Sequence, residues 1–111
     1  MISRIIYRRG LLRGLSDTTS LREKIIGGDA IPEWLEQSIV ENGILGMGGT
    51  YGDPGAGDPI EYDFVRIEHR GEPVEITFYN RGIILFETED ERVRRVHRVC
   101  SQLMEVPARE R

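Results

Sequence analysis

Val74, Ile76 and Phe78 alternate with Glu75, Thr77 and Tyr79, the period-two pattern of a strand with one face on a core. Ile60 to His69 also reads as a strand, but its apolar residues change sides between Phe64 and Val65, predicting a bulge or burial on both faces. Ile83 to Phe86 is an unbroken apolar run and is expected to be the central, best buried strand. Arg70-Gly71 and Asn80-Arg81-Gly82 supply glycine where hairpins need positive φ.

Ile2 to Arg8 is a further strand of β-branched and aromatic residues, after which Arg9-Gly10 is expected to turn. Leu11 to Leu21 fits either a second strand or a loop leading into a short helix. For the helix speak the capping-box spacing of Ser20 and Glu23 and the apolar Leu21, Ile25 and Ile26, ending at Gly27-Gly28. Ile6 to Leu12 and Phe78 to Ile84 share a strand, arginine-glycine, strand pattern, for which recurrent turn chemistry is the simpler account.

Helical spacing predicts a helix from Pro32 to Asn42-Gly43. Its apolar face is Ile31, Trp34, Leu35 and Ile39 with Val40; Glu33, Glu36, Gln37 and Glu41 point outward. A last helix, Thr88 to Glu105, carries a stripe of Val93, Val96, Cys100 and Leu103 flanked by Val99 and Met104, with Arg94, Arg95 and Arg98 opposite. Together these elements predict an α+β fold: an antiparallel sheet of four to five strands with two to three helices packed on one face. Residues 1–106 form a single domain, with a glycine-rich internal loop at 43–59 and a flexible tail at 107–111.

At 111 residues and 39% hydrophobic content, one such domain can bury its own core. The basic N-terminal residues precede no apolar run of signal length, nothing approaches a membrane span, and a lone cysteine makes no internal disulfide. A cytoplasmic protein without membrane association is expected. The net charge of −4 hides an asymmetry. Residues 1–28 hold six basic and two acidic groups, 29–91 three and fifteen, and 92–111 six and two. Basic ends that pack beside the acidic middle would neutralise it internally.

The stretch from Gly43 to Gly57 holds seven of the thirteen glycines. It contains no lysine for a phosphate loop, has Tyr51 where the dinucleotide fingerprint needs glycine, and follows a helix rather than opening one. Asp53, Asp58, Glu61 and Asp63 lack the spacing of a calcium-binding helix-loop-helix, and one cysteine with two histidines cannot close a zinc site. Cys100 and His97 share a helix face, but Cys100 lies mid-stripe, as a buried structural thiol would. No catalytic, cofactor or metal residue is assigned, and no cofactor is expected.

The segment Gly55-Ala-Gly-Asp-Pro-Ile-Glu-Tyr-Asp-Phe64, leading into Val65-Arg-Ile-Glu-His-Arg-Gly71, resembles the emfourin-type small proteins. Tyr7-Arg-Arg-Gly-Leu-Leu-Arg-Gly14 stands where that family has its early glycine turn, without the paired glycines, and the 83–86 strand is additional. The resemblance implies inhibition of thermolysin-like metallopeptidases by binding, and no inhibitory residue transfers. The expected function is therefore a small non-enzymatic protein-binding module, with Met47, Thr50, Tyr51 and Asp53 of the glycine-rich loop as contact residues. The alternative is a nucleic-acid-binding regulator using Arg8 and Arg9 with Arg94, Arg95 and Arg98. A homodimer is compatible with either.

Overall fold

A computed structural model describes residues 2–13, 17–52, 60–81 and 90–106. The expected 83–86 strand, Asp53, Thr88 and the tail at 107–111 lie outside them. The described residues form a five-stranded sheet and two α-helices, the α+β class that the patterning predicts. The strands are β1 (Ile2–Arg13), β2 (Asp17–Gly27), β3 (Gly49–Gly52), β4 (Ile60–His69) and β5 (Val74–Tyr79), in the order β2-β1-β4-β5-β3. Helix α1 (Glu33–Glu41) follows β2, and α2 (Glu91–Glu105) closes the fold. All pairings are antiparallel except β3 with β5, which is parallel.

The N-terminal segment departs from its expected form. Arg9-Gly10 is not a turn: β1 runs through it, with a register shift against β2 at that point. Leu11 to Arg13 and Asp17 to Leu21 accordingly belong to two long strands, and Ser20 and Glu23 sit in β2 rather than at a helix start. The β-branched Ile25 and Ile26 suit a strand, and pairing of β2 along β1 outweighs a local cap. In β4 no bulge separates Phe64 from Val65. Asp63, Val65 and Ile67 are buried on one face, while Phe64 is half-buried on the other, where the Arg8 guanidinium lies 5.5 Å above its ring.

One face of the sheet carries Ile5, Tyr7, Ile26, Val65, Ile67, Val74, Ile76 and Phe78, all buried. Leu35 and Ile39 of α1, and Val96, Val99, Cys100 and Leu103 of α2, complete this core. Asp90 caps α2, its Oδ1 accepting the Arg92 N–H at 2.9 Å. The other face is laced by ion pairs, one of which, Arg4 with Glu68, joins the basic N-terminal region to the acidic middle. Arg4 forks onto Glu68 at 2.8 and 3.1 Å, Arg66 bridges Glu68 and Glu75, and Arg8 meets Glu23. Hydrogen bonds from Arg4 and Arg66 hold the Glu68 carboxyl below its ordinary range. The expected neutralisation between regions is carried on the sheet by Arg4 with Glu68 and Arg9 with Glu61, while the remaining sheet pairs lie within one region.

Half of the glycine-rich stretch is regular structure. Gly43, at φ 69°, ends α1; Ile44–Gly46 forms a 3-10 turn; Gly49 to Gly52 is the edge strand β3. At Gly52 the backbone has φ 83°, and a Cβ there would lie 2.0 Å from the Tyr79 carbonyl oxygen. Gly52→Ala should therefore lower the unfolding free energy by about 2 kcal/mol or more in urea titration. Gly27→Ala, where a Cβ meets nothing within 4 Å, serves as control. Equal midpoints for the two variants would refute this account of β3.

Candidate functional site

Period-two geometry sends Asp63 inward beside Val65 and Ile67. A carboxylate in that row requires compensation. Tyr7 of β1 donates its hydroxyl proton to Asp63 Oδ2. Arg81, just beyond β5, donates through Nη2 to the same oxygen at 3.2 Å, while its Nε lies 3.2 Å from Oδ1 without hydrogen-bond alignment. The guanidinium continues into α2: Nη1 reaches Ser101 Oγ at 2.9 Å and His97 Nδ1 at 3.2 Å, and Nη2 reaches Met104 Sδ at 2.8 Å. Burial and the hydrogen bond with Asp63 push the Tyr7 phenol up. Burial lowers the Arg81 guanidinium, but its hydrogen bond with Asp63 and the carboxylate's charge outweigh that and raise it on balance.

This cluster brings a serine, a histidine and an aspartate together, but not in the order that acyl transfer uses. A catalytic imidazole takes the serine proton at Nε2 and is oriented by a carboxylate at Nδ1. Here a cation faces Nδ1, so Nδ1 accepts and the proton is assigned to Nε2, which lies 3.5 Å from Ser101 Oγ. Burial and the Arg81 charge lower the His97 pKa, keeping the ring neutral. Cys100, 1% exposed, has its thiol pushed up to about 12 by burial and by the Asp63 charge, away from thiolate chemistry. The cluster reads as a structural pin between sheet and helix.

A second pin holds the C-terminal end of α2. Lys24, the single lysine, donates from a buried position on β2 to the carbonyls of Leu103, Met104 and Val106 at 2.9, 2.5 and 2.6 Å. These are among the terminal carbonyls that a helix cannot satisfy internally.

Of the expected contact residues, Asp53 lies outside the described residues, and Met47 and Tyr51 are not surface groups. Met47 is 7% exposed and belongs to the core. Tyr51 is half-buried, its ring 6.1 Å from that of Phe78 and its hydroxyl donating to the Met47 carbonyl at 2.8 Å. The parallel pairing of β3 with β5 draws both inward, leaving Thr50 exposed. The arginines of the alternative do not converge either. Arg8 lies on the open sheet face with Glu23, and Arg9 pairs with Glu61 at 3.2 Å. Beyond the opposite face, Arg95 pairs with Glu91 on α2, Arg98 donates to Asn42 Oδ1 at 2.7 Å, and Arg94 lines a groove with His97 and Ser101.

What the patterning misassigned is α1. Only Leu35 and Ile39 are buried; Trp34 is 50% and Val40 59% exposed. Successive helical residues are about 100° apart, so a nine-residue helix resting on the Leu35–Ile39 line leaves both flanks to solvent. Trp34 borders a hollow of about 600 Å³ towards α2. Val40 borders another of about 540 Å³ towards Ile2 and Leu45. Gln37 and Glu41, bonded at 2.9 Å, form the ridge between. Two large apolar residues among glutamates on so short a helix were the available sequence signal.

No protein-family model, curated protein or solved structure matches this chain. The emfourin resemblance thus rests on the residues quoted for it.

Two outcomes test the pin. Asp63→Leu strands the Arg81 charge and should cost about 3–5 kcal/mol; Asp63→Leu/Arg81→Met should cost less in the same urea titration, and a larger loss in the double variant would contradict the pairing. Because the folded-state pKa of His97 is depressed, its contribution is complete above its unfolded value, about 6.5, and is lost as pH falls through the folded value. Between pH 7.5 and 5, the melting temperature should fall further for the natural chain than for His97→Gln; parallel profiles would remove His97 from the account.

Proposed function

We propose that this chain is a small cytoplasmic protein-binding module that acts by contact rather than catalysis, and that its contact surface is the outer side of α1. The observation carrying this is the exposure of Trp34 and Val40 on one nine-residue helix. Aromatic anchors bordering hollows are the usual centres of protein interfaces. No helix among the described residues is long and apolar enough to cross a membrane, so a bilayer-spanning role for these two residues has no support. The polar cluster on α2 favours binding over chemistry, because the donor facing His97 Nδ1 opposes the proton path that a serine nucleophile needs.

The emfourin resemblance narrows the same reading to a metallopeptidase as partner, for which stoichiometric slowing of a thermolysin-type enzyme is the direct assay. Nucleic-acid binding is the less favoured reading. Arg8, Arg9 and Arg95 already meet carboxylates, and Arg98 meets an amide oxygen. It predicts affinity that falls steeply with salt.

Affinity for a partner recovered from the native host and then purified should fall at least about tenfold with Trp34→Ser or Val40→Asp. Both sites are exposed, so their melting temperatures should stay close to the natural value. Thr50→Asp should bind normally. Unchanged affinity in the α1 variants alongside loss in Thr50→Asp would return the contact surface to the glycine-rich stretch.

A further inference from the structure

On the sheet, Glu23, Glu61, Glu68 and Glu75 each meet an arginine of the same chain. Helix α1 is different. Its sequence, Glu-Trp-Leu-Glu-Gln-Ser-Ile-Val-Glu, contains no base, and none of its three glutamates makes an ion pair with a described arginine or lysine. Among the described residues, Glu36 Oε2 accepts only the Ile2 N–H, at 3.0 Å, and Glu41 only the Gln37 amide. Glu41 also occupies the last turn, where the helix dipole disfavours a negative charge and would welcome a base.

These carboxylates border apolar surface. The hollow of about 540 Å³ is lined by Ile2, Val40 and Leu45 together with Glu33, Glu36, Gln37 and Glu41. Apolar surface beside charge of one sign selects its occupant by complementarity. We infer that the partner presents a short basic amphipathic segment, which seats an aliphatic side chain against Val40 and Leu45 and sets flanking arginine or lysine side chains on Glu33, Glu36 and Glu41. Anionic partners, including nucleic acid and acidic lipid surfaces, are repelled from the same place. This inference rests on the proposal that α1 is the contact surface, and adds the chemistry of what it contacts.

The test is selection of a random phage-displayed dodecapeptide library on the full chain, with Val40→Asp screened in parallel. Trp34 is the single tryptophan, so synthetic copies of recovered peptides can be titrated by its fluorescence. Peptides that bind the natural chain but not Val40→Asp should be rich in arginine and lysine. Their affinity should fall about tenfold or more in Glu33→Gln/Glu41→Gln, and should weaken as salt rises from about 0.05 to 0.5 M. Peptides that depend on Val40 but are neutral or acidic would overturn the basic-segment inference while leaving the α1 surface standing. A selection yielding no peptide that distinguishes Val40→Asp would overturn both.

Discussion

The buried carboxylate of Asp63 is the constraint on which the arrangement of this protein turns. It lies in the core row of β4 and draws a phenol from β1 and a guanidinium from beyond β5. That guanidinium in turn holds His97, Ser101 and Met104 of α2. Apolar packing alone would let an amphipathic helix slide or roll on the sheet, because burial is non-directional. Arg81, through His97, Ser101 and Met104, and Lys24, through the carbonyls of Leu103, Met104 and Val106, supply directional contacts from the middle of α2 to its C-terminal end. Breaking such contacts leaves buried charge without a partner, so one position of the helix is specified over its neighbours.

Committing these polar groups to architecture shapes what the molecule offers outside. His97 is held neutral against a cation, and Cys100 is sealed beneath the helix as the sequence predicts. On the open sheet face, basic residues of β1 and β4 are matched by acids of β2, β4 and β5. Strand pairing brings Arg4 to Glu68 and Arg9 to Glu61, the two sheet ion pairs that join the basic N-terminal region to the acidic middle. Helix α1 escapes because it packs by one narrow line, and its acids and two large apolar side chains stay outward.

The glycine-rich stretch has a different meaning from its composition. Its first half turns out of α1 and lays an edge strand beside β5, with Gly52 close against the Tyr79 backbone. Glycine serves there for close approach and positive φ rather than for adaptability at a surface. Met47 and Tyr51, which as loop residues would be contacts, instead fill the end of the core.

Periodicity alone determined the α+β class, the bounds of β4 and β5, the extent of α1 and nearly all of the buried stripe of α2, because each depends on contacts a few residues apart. It assigned no structural role to Asp63 or Lys24, although the inward parity of β4 and a lone lysine among arginines are legible in the chain. Pairing decided what local pattern left open. Gly10 is absorbed into a continuous β1 because β2 and β4 flank it on both sides, and Ser20 and Glu23 follow β2 into the sheet. The parallel placement of β3, the meeting of Asp63 with Arg81, and the outward side of α1 depend on residues distant in sequence. Such contacts follow from how layers settle on one another, so only the tertiary structure could turn Trp34 from a core residue into a surface one.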